Sequence, residues 1–287
     1  MAEAEAIARH PAFLKAVERW GDPSLDVFDG HPRDAKLICQ TARYVTLFFI
    51  LHLHASADPD DPNGGASVGR VQACVQASGF GSASWVKLAM RTFHRSNLIE
   101  AMPAGQDRRL RRYRPSTHFL ALGREVLERG LEIVALVRAL PASPRDLAGF
   151  PGVVENIARV TVDTYEQDGF TNLEIFPEIT AFLQRDFGHL ILSHLVRTLR
   201  DDPRLGPVAH VPVGVLSERF GVSRAHVRNV LQMAEGLGLL ERQARGGRHL
   251  VRLSPHFADL CRQWVAIDLA WLGYLAEGAY VHARRRR

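Results

Sequence analysis

Displacing the sequence against itself by 141 positions aligns residues 60–100 with 201–241 without a gap, and this internal repeat constrains the fold more than any single motif. Eight aligned pairs are identical: Asp60/Asp201, Asp61/Asp202, Pro62/Pro203, Gly65/Gly206, Ser82/Ser223, Val86/Val227, Leu98/Leu239 and Glu100/Glu241. Conservative pairs accompany them, among them Lys87/Arg228, Met90/Leu231 and Ile99/Leu240, and upstream of the segment Ile50 falls on Ile191. A one-residue change downstream brings Pro115 onto Pro255 and Phe119 near Phe257. Identities that recur in one order describe a supersecondary unit built twice, and 287 residues leave room for two buried cores. Between the copies, "LPASPRDLAGFPG" (residues 140–152) carries three prolines and interrupts helical periodicity, as a linker does. The expected domains are 1–143 and 144–287.

Each copy reads as an entry helix (about 36–56 and 182–200), an Asp/Pro/Gly loop, a short helix (about 67–77 and 212–219), a tight turn and a longer helix. A two-stranded ribbon and a closing helix (about 119–140 and 257–280) follow. In the second copy Gly221 supplies the turn, and Ser223 is placed to cap the longer helix through its side-chain oxygen. A 3.6-residue period turns Val227, Val230, Leu231 and Ala234 inward, with Leu216 and Phe220 from the short helix. The outward side centres on Ala225, Asn229 and Gln232, with Arg228 beside them and Arg224 and His226 at the flanks. "LLERQA" and "RHLVRL" are strand-like runs around Gly246-Gly247, and Arg242, Arg245, Arg248, His249 and Arg252 decorate that ribbon. In the first copy Val86, Ala89, Met90 and Phe93 turn inward, while Ser84, Leu88 and Arg91 turn outward between Trp85 and Lys87. Its ribbon bears Arg108, Arg109, Arg111, Arg112 and Arg114. The fold class is thus mainly α with small β-hairpin wings.

Composition narrows the function. Hydrophobic residues at 46% and charged residues at 23% are those of a globular protein. The net charge of +5 favours a polyanionic partner mildly, and 33 of the 36 cationic residues are arginine, whose planar fork suits phosphates and guanine edges. Cys39, Cys74 and Cys261 are odd in number and far apart, which suggests neither a disulfide framework nor a thiolate zinc site. The opening "MAEAEAIARHPAFLKAVERW" is acidic and amphipathic rather than signal-like. The longest apolar run, Tyr44 to Ala55, is shorter than the roughly 20 residues a membrane span needs. A soluble, cytoplasmic, nucleoid-associated protein without membrane contact is expected.

The stretch "FGVSRAHVRNVLQMAEGLGLLER" resembles the helix-turn-helix core of bacterial winged-helix transcriptional regulators. Its "VSR-x-x-VR-x-x-L" and "GLL" phrasing is similar to the GntR group, and its flanking helices and arginine-rich ribbon are similar to MarR-type regulators. The resemblance covers about 210–255 and extends through the repeat to about 66–119. It implies two tandem winged helix-turn-helix domains joined by additional helices, and sequence-specific binding of double-stranded DNA. By the resemblance, Ser223, Arg224, Arg228 and the wing arginines, among them Arg245 and Arg248, approach DNA. The outward face adds Ala225, Asn229 and Gln232. Through the repeat, the first copy contributes Ser82, Ser84, Lys87, Leu88, Arg91, Arg108, Arg109, Arg111 and Arg112. A GntR effector domain is not recognisable, so a small-molecule effector stays open, as does the choice between a monomeric pseudo-dimer and a homodimer. The alternative is a winged-helix protein-interaction module, which an outward Trp85 and Leu88 favour.

Enzyme-like signals are weak. "GASVG" (residues 65–69) matches a nucleophile-elbow pattern, but a loop precedes it where that motif needs a strand, so Ser67 reads as a helix cap. His52 and His54 are two apart and His189 and His194 five apart, so neither pair shares the i,i+4 face of a helical metal site. Trp264, Trp271, Leu272 and Tyr274 read as packing or a subunit interface. No catalytic role, cofactor or metal is expected.

Overall fold

The computed structural model describes residues 2–58, 61, 64–103, 111–168, 175–245 and 248–285, without the side chains of 168, 243–245, 248–249 and 282–285. In chain order the elements begin α1 (Ala2–Ala8), α2 (Phe13–Arg19), α3 (Asp22–Gly30), α4 (Pro32–Ile38), α5 (Thr41–Ala55), β1 (Ala66–Ser67), α6 (Val68–Ala77) and α7 (Ala83–Arg95). Next come β2 (Ile99–Ala101), β3 (Arg112–Pro115), α8 (Thr117–Val134), α9 (Pro144–Gly149), α10 (Val153–Asp168), α11 (Pro177–Leu183) and α12 (Gly188–Thr198). Last are β4 (Arg200–Asp202), β5 (Gly206–His210), α13 (Val213–Phe220), α14 (Arg224–Gly236), β6 (Leu240–Arg245), β7 (Arg248–Leu253) and α15 (Pro255–Arg285). The protein is mainly helical with two small antiparallel sheets. Among the described residues no helix is long and apolar enough to cross a membrane.

The chain forms two compact units, each drawn from three stretches: Met1–Gln40, Arg129–Pro144 and Asn172–Tyr274 in one, Thr41–Glu128, Arg145–Thr171 and Leu275–Arg287 in the other. This division differs from consecutive halves 1–143 and 144–287, because the N-terminal helices pack with α12 while α10, beyond the proline-rich segment, packs along α5. That segment is itself partly helical, as α9.

In the α14 unit the sheet order is β4-β5-β7-β6. Its core joins Leu190, Ile191 and Leu195 of α12, Leu216 and Phe220 of α13, and Val227, Val230, Leu231 and Ala234 of α14, all buried. Phe182 stacks on Phe257 at 5.7 Å and Phe187 on Phe220 at 6.3 Å. A second aromatic group anchors the N-terminal helices: Trp20 meets Trp264 edge-on at 4.6 Å and His189 at 5.8 Å, and its indole N–H donates to Asp268 at 2.8 Å. Gly21 lets α12 approach, since a Cβ there would lie 2.8 Å from the Ser193 carbonyl oxygen.

In the α7 unit the sheet order is β1-β3-β2. Leu47, Ile50 and Leu51 of α5, Val71 and Val75 of α6, and Val86, Met90 and Phe93 of α7 form its core. Along the α5–α10 seam, Asp163 stands 3.6 Å from His52.

One local order recurs in both units: strand, short helix, turn, thirteen-residue helix, ribbon. The 141-residue spacing holds from Ser82/Ser223 to Glu100/Glu241, but neither side of it is gapless. Ala66 faces Tyr113 as Ala209 faces Val251, so the first strand sits two residues off that alignment. Beyond the ribbon Pro115 opposes Ile99 as Leu253 opposes Leu240, so Pro115 corresponds to Leu253 and not to Pro255. The sequence pattern predicts a two-stranded ribbon in each copy; each instead gains a further strand from the loop ahead of the short helix, and β4 extends one sheet to four.

Candidate nucleic-acid interface

The interface starts at two serines. Ser82 and Ser223 are extended residues whose Oγ atoms accept the N–H of Trp85 at 3.3 Å and of His226 at 3.0 Å, closing the first turns of α7 and α14. Their oxygens are committed as acceptors, which leaves each hydroxyl proton to donate elsewhere. Ser67 likewise caps α6, accepting from the Arg70 N–H at 3.3 Å. The turn before α14 pivots on Gly221, at φ 62, and that before α7 on Gly79, at φ 74. The turn before α7 is two residues longer, 78–82 against 221–223, and within it a Cβ at Gly81 would meet Trp85 at 2.9 Å and Val75 at 3.2 Å. Trp85 therefore folds back over its own turn and is only half exposed.

With the inward faces buried, Arg224, Ala225, Arg228, Asn229 and Gln232 of α14 are exposed. Arg224 lies 3.8 Å from Glu218, a weak surface pair. Arg228, Asn229 and Gln232 show no internal hydrogen-bond or ion-pair partner among the described residues. His226, which the helical period placed on the outward flank, is turned back, its Nε2 2.6 Å from the Asp186 carbonyl oxygen. On α7, Ser84, Lys87, Leu88 and Arg91 are exposed, and Leu88 is 63% exposed. Arg95, one turn beyond Arg91, is exposed on a helix without a single acidic residue. Arg95 continues the helical spacing of Ser84, Leu88 and Arg91 and so belongs to the same face.

The ribbons are less cationic than their arginine content suggests. Arg114 donates to Glu100 at 3.0 and 3.2 Å. Its counterpart Arg252 is bound to Glu241 across the other ribbon. Arg242 donates to Glu235 at 2.7 Å, and those hydrogen bonds hold the Glu235 carboxyl below its ordinary range. These three arginines are thus engaged by carboxylates. Arg111 is exposed and Arg112 half-buried at the mouth of β3. Arg108 and Arg109 lie outside the described residues, as do the side chains of Arg245 and Arg248.

Further arginines of the α14 unit, half-buried, are paired with an acidic helix. Asp22, Asp26 and Asp29 of α3 meet Arg197 of α12 and Arg219 of α13: Arg197 lies 3.3 Å from Asp22 and 3.6 Å from Asp26, and Arg219 donates to Asp29 at 2.6 Å. Burial raises the Asp22 carboxyl even with Arg197 beside it. Local periodicity carries no trace of this contact, since the partners are about two hundred residues apart.

No group of three or more His, Cys, Asp or Glu side chains among the described residues is arranged to hold a metal. The three cysteines are free thiols, and burial pushes Cys261 up to about 12. What the two outward faces offer is a set of guanidinium, ammonium and amide donors on the exposed side of a helix, beside a short ribbon. No family model matches the chain, and no curated protein or solved structure matches it.

Proposed function

We propose that this chain is a sequence-specific double-stranded DNA-binding protein, a transcriptional regulator acting on the nucleoid with two winged-helix heads. In each head α6–α7 or α13–α14 is the helix-turn-helix, and β2–β3 or β6–β7 is the wing. The observation that carries the reading is the outward face of α14. Arg228, Asn229 and Gln232 stand exposed without internal partners among the described residues, while the opposite side, Val227, Val230, Leu231 and Ala234, is fully buried. A guanidinium matches the O6/N7 edge of guanine and a carboxamide the N6/N7 edge of adenine, so this is a base-reading set. Arg111 and Lys87 add phosphate contacts that set register without reading sequence.

The test is fluorescence anisotropy of the whole chain with labelled random-sequence duplex DNA, repeated at rising salt. Binding should weaken with a log–log slope of about −0.9 for each phosphate neutralised. Absence of binding at low salt would overturn the reading. A second reading, a protein-interaction module, is favoured by the exposed Leu88 in the α7 head, and it predicts no salt-dependent DNA affinity in the same assay.

A further inference from the structure

We propose that Leu88 reads a thymine by packing on its C5-methyl group in the major groove, so that the α7 head selects a T-containing step where the α14 head reads a base edge by hydrogen bonding. The inference rests on the DNA-binding reading above and names what one head of it recognises. Its first support is placement. The other large apolar residues on α7 have packing partners, with Val86 and Phe93 at 0% and Met90 at 1% exposure, while Leu88 remains 63% exposed at the centre of the outward face. Nothing in the folding of the unit requires an aliphatic side chain there.

The second support is the company Leu88 keeps. Lys87, Arg91 and Arg95 are exposed around it, none shows an internal ion-pair partner among the described residues, and α7 has no acidic residue. A lone aliphatic group inside a cationic field suits a polyanion that presents isolated methyl groups, and the thymine methyl is the apolar feature of the major-groove edge. An apolar protein partner would call for a broader patch, whereas Trp85 beside Leu88 is folded over Gly81. The third support is the repeat. Ser82 and Ser223 cap the two helices identically, so Leu88 occupies the place of Asn229. The same position therefore offers methyl contact in one head and a carboxamide in the other, and the two half-sites differ in chemistry.

The experiment begins with duplexes selected by the full chain from a random pool, resynthesised with deoxyuridine in place of each thymidine in turn. At one thymine the uracil duplex should bind about fourfold more weakly, the effect of withdrawing one methyl from an apolar contact. L88A should bind the thymine and uracil forms equally, and N229A should keep the uracil penalty at that position. Leu88 is exposed, so a matching thermal melt establishes that the variant is folded. Tight DNA binding with no uracil penalty anywhere, or a penalty that persists in L88A, overturns the inference and leaves the DNA-binding reading standing. Failure to retain any duplex overturns both.

Discussion

Arg219 and Asp29 are separated by 190 residues of chain and meet at 2.6 Å, with Asp26 3.5 Å from the same guanidinium. The pair joins α3 to the short helix ahead of α14 and engages a half-buried arginine there. Both partners are part-exposed, at 21% and 44% of their side-chain areas, which limits their worth. Arg219→Ala should destabilise the α14 unit by about 1 kcal/mol, and a double-mutant cycle with Asp29→Ala should return coupling of about 0.5–1 kcal/mol. Urea denaturation of the four proteins measures it. Additive losses would mean that the contact contributes nothing.

The serine caps give a matched pair of stability effects. Ser223→Ala and Ser82→Ala each leave an orphan N–H in the first turn, at a cost of about 1 kcal/mol, and replacement by Asp should restore most of the loss. Chemical denaturation followed by circular dichroism reads both. Rescue by Asp distinguishes capping from any other role of the hydroxyl.

On α14, Asn229→Ala should relax discrimination at one base pair by about 1–3 kcal/mol with little change on random duplexes. Arg111→Gln acts on the other chemistry: it should weaken binding to every duplex alike and shallow the log–log salt slope by about 0.9. Anisotropy against selected and random duplexes separates the two patterns. An Asn229→Ala variant that keeps full discrimination would remove that residue from the readout.

His189 gives the stability a pH dependence. Enclosed beside Trp20 and hydrogen-bonded with Ser24 at 3.3 Å, its imidazole is pushed down to about 4 by burial. The unfolded chain holds this proton below about 6.5 and the folded one only below about 4, so stability is fully present above 6.5 and falls as pH drops between those values. The loss is about 2–3 kcal/mol, and His189→Gln should flatten that part of a stability–pH curve recorded by urea titration. An unchanged slope in the variant would place the titration elsewhere.

Much of the architecture was legible where one periodicity suffices. Val86, Ala89, Met90 and Phe93, and their counterparts on α14, lie inside because a 3.6-residue repeat of apolar groups leaves no other way to bury them. Short strands were not legible: β1 is two residues long, and Pro207 interrupts the reading of β5 as a strand, so the extra strand in each sheet came from pairing with the ribbon alone. The outward faces followed from the inward ones, with His226 the exception, because its partner Asp186 belongs to another helix junction. Arg114, Arg242 and Arg252 were legible as ribbon residues but not as paired ones. Cross-strand register decides which carboxylate Arg114 and Arg252 meet, and the packing of the ribbon on α14 brings Arg242 to Glu235; composition encodes neither.

The three-stretch make-up of the α14 unit sets the order in which it is completed on the ribosome. Helices α2 and α3 are made well before α12, against which they pack and which follows only after well over a hundred further residues. Their apolar sides must wait while that stretch is made, and closing so long a loop favours slow, late assembly of this unit. A nascent chain halted before residue 188 would still show α3 open to protease, whereas the finished protein holds Asp29 and Arg219 together and protects it.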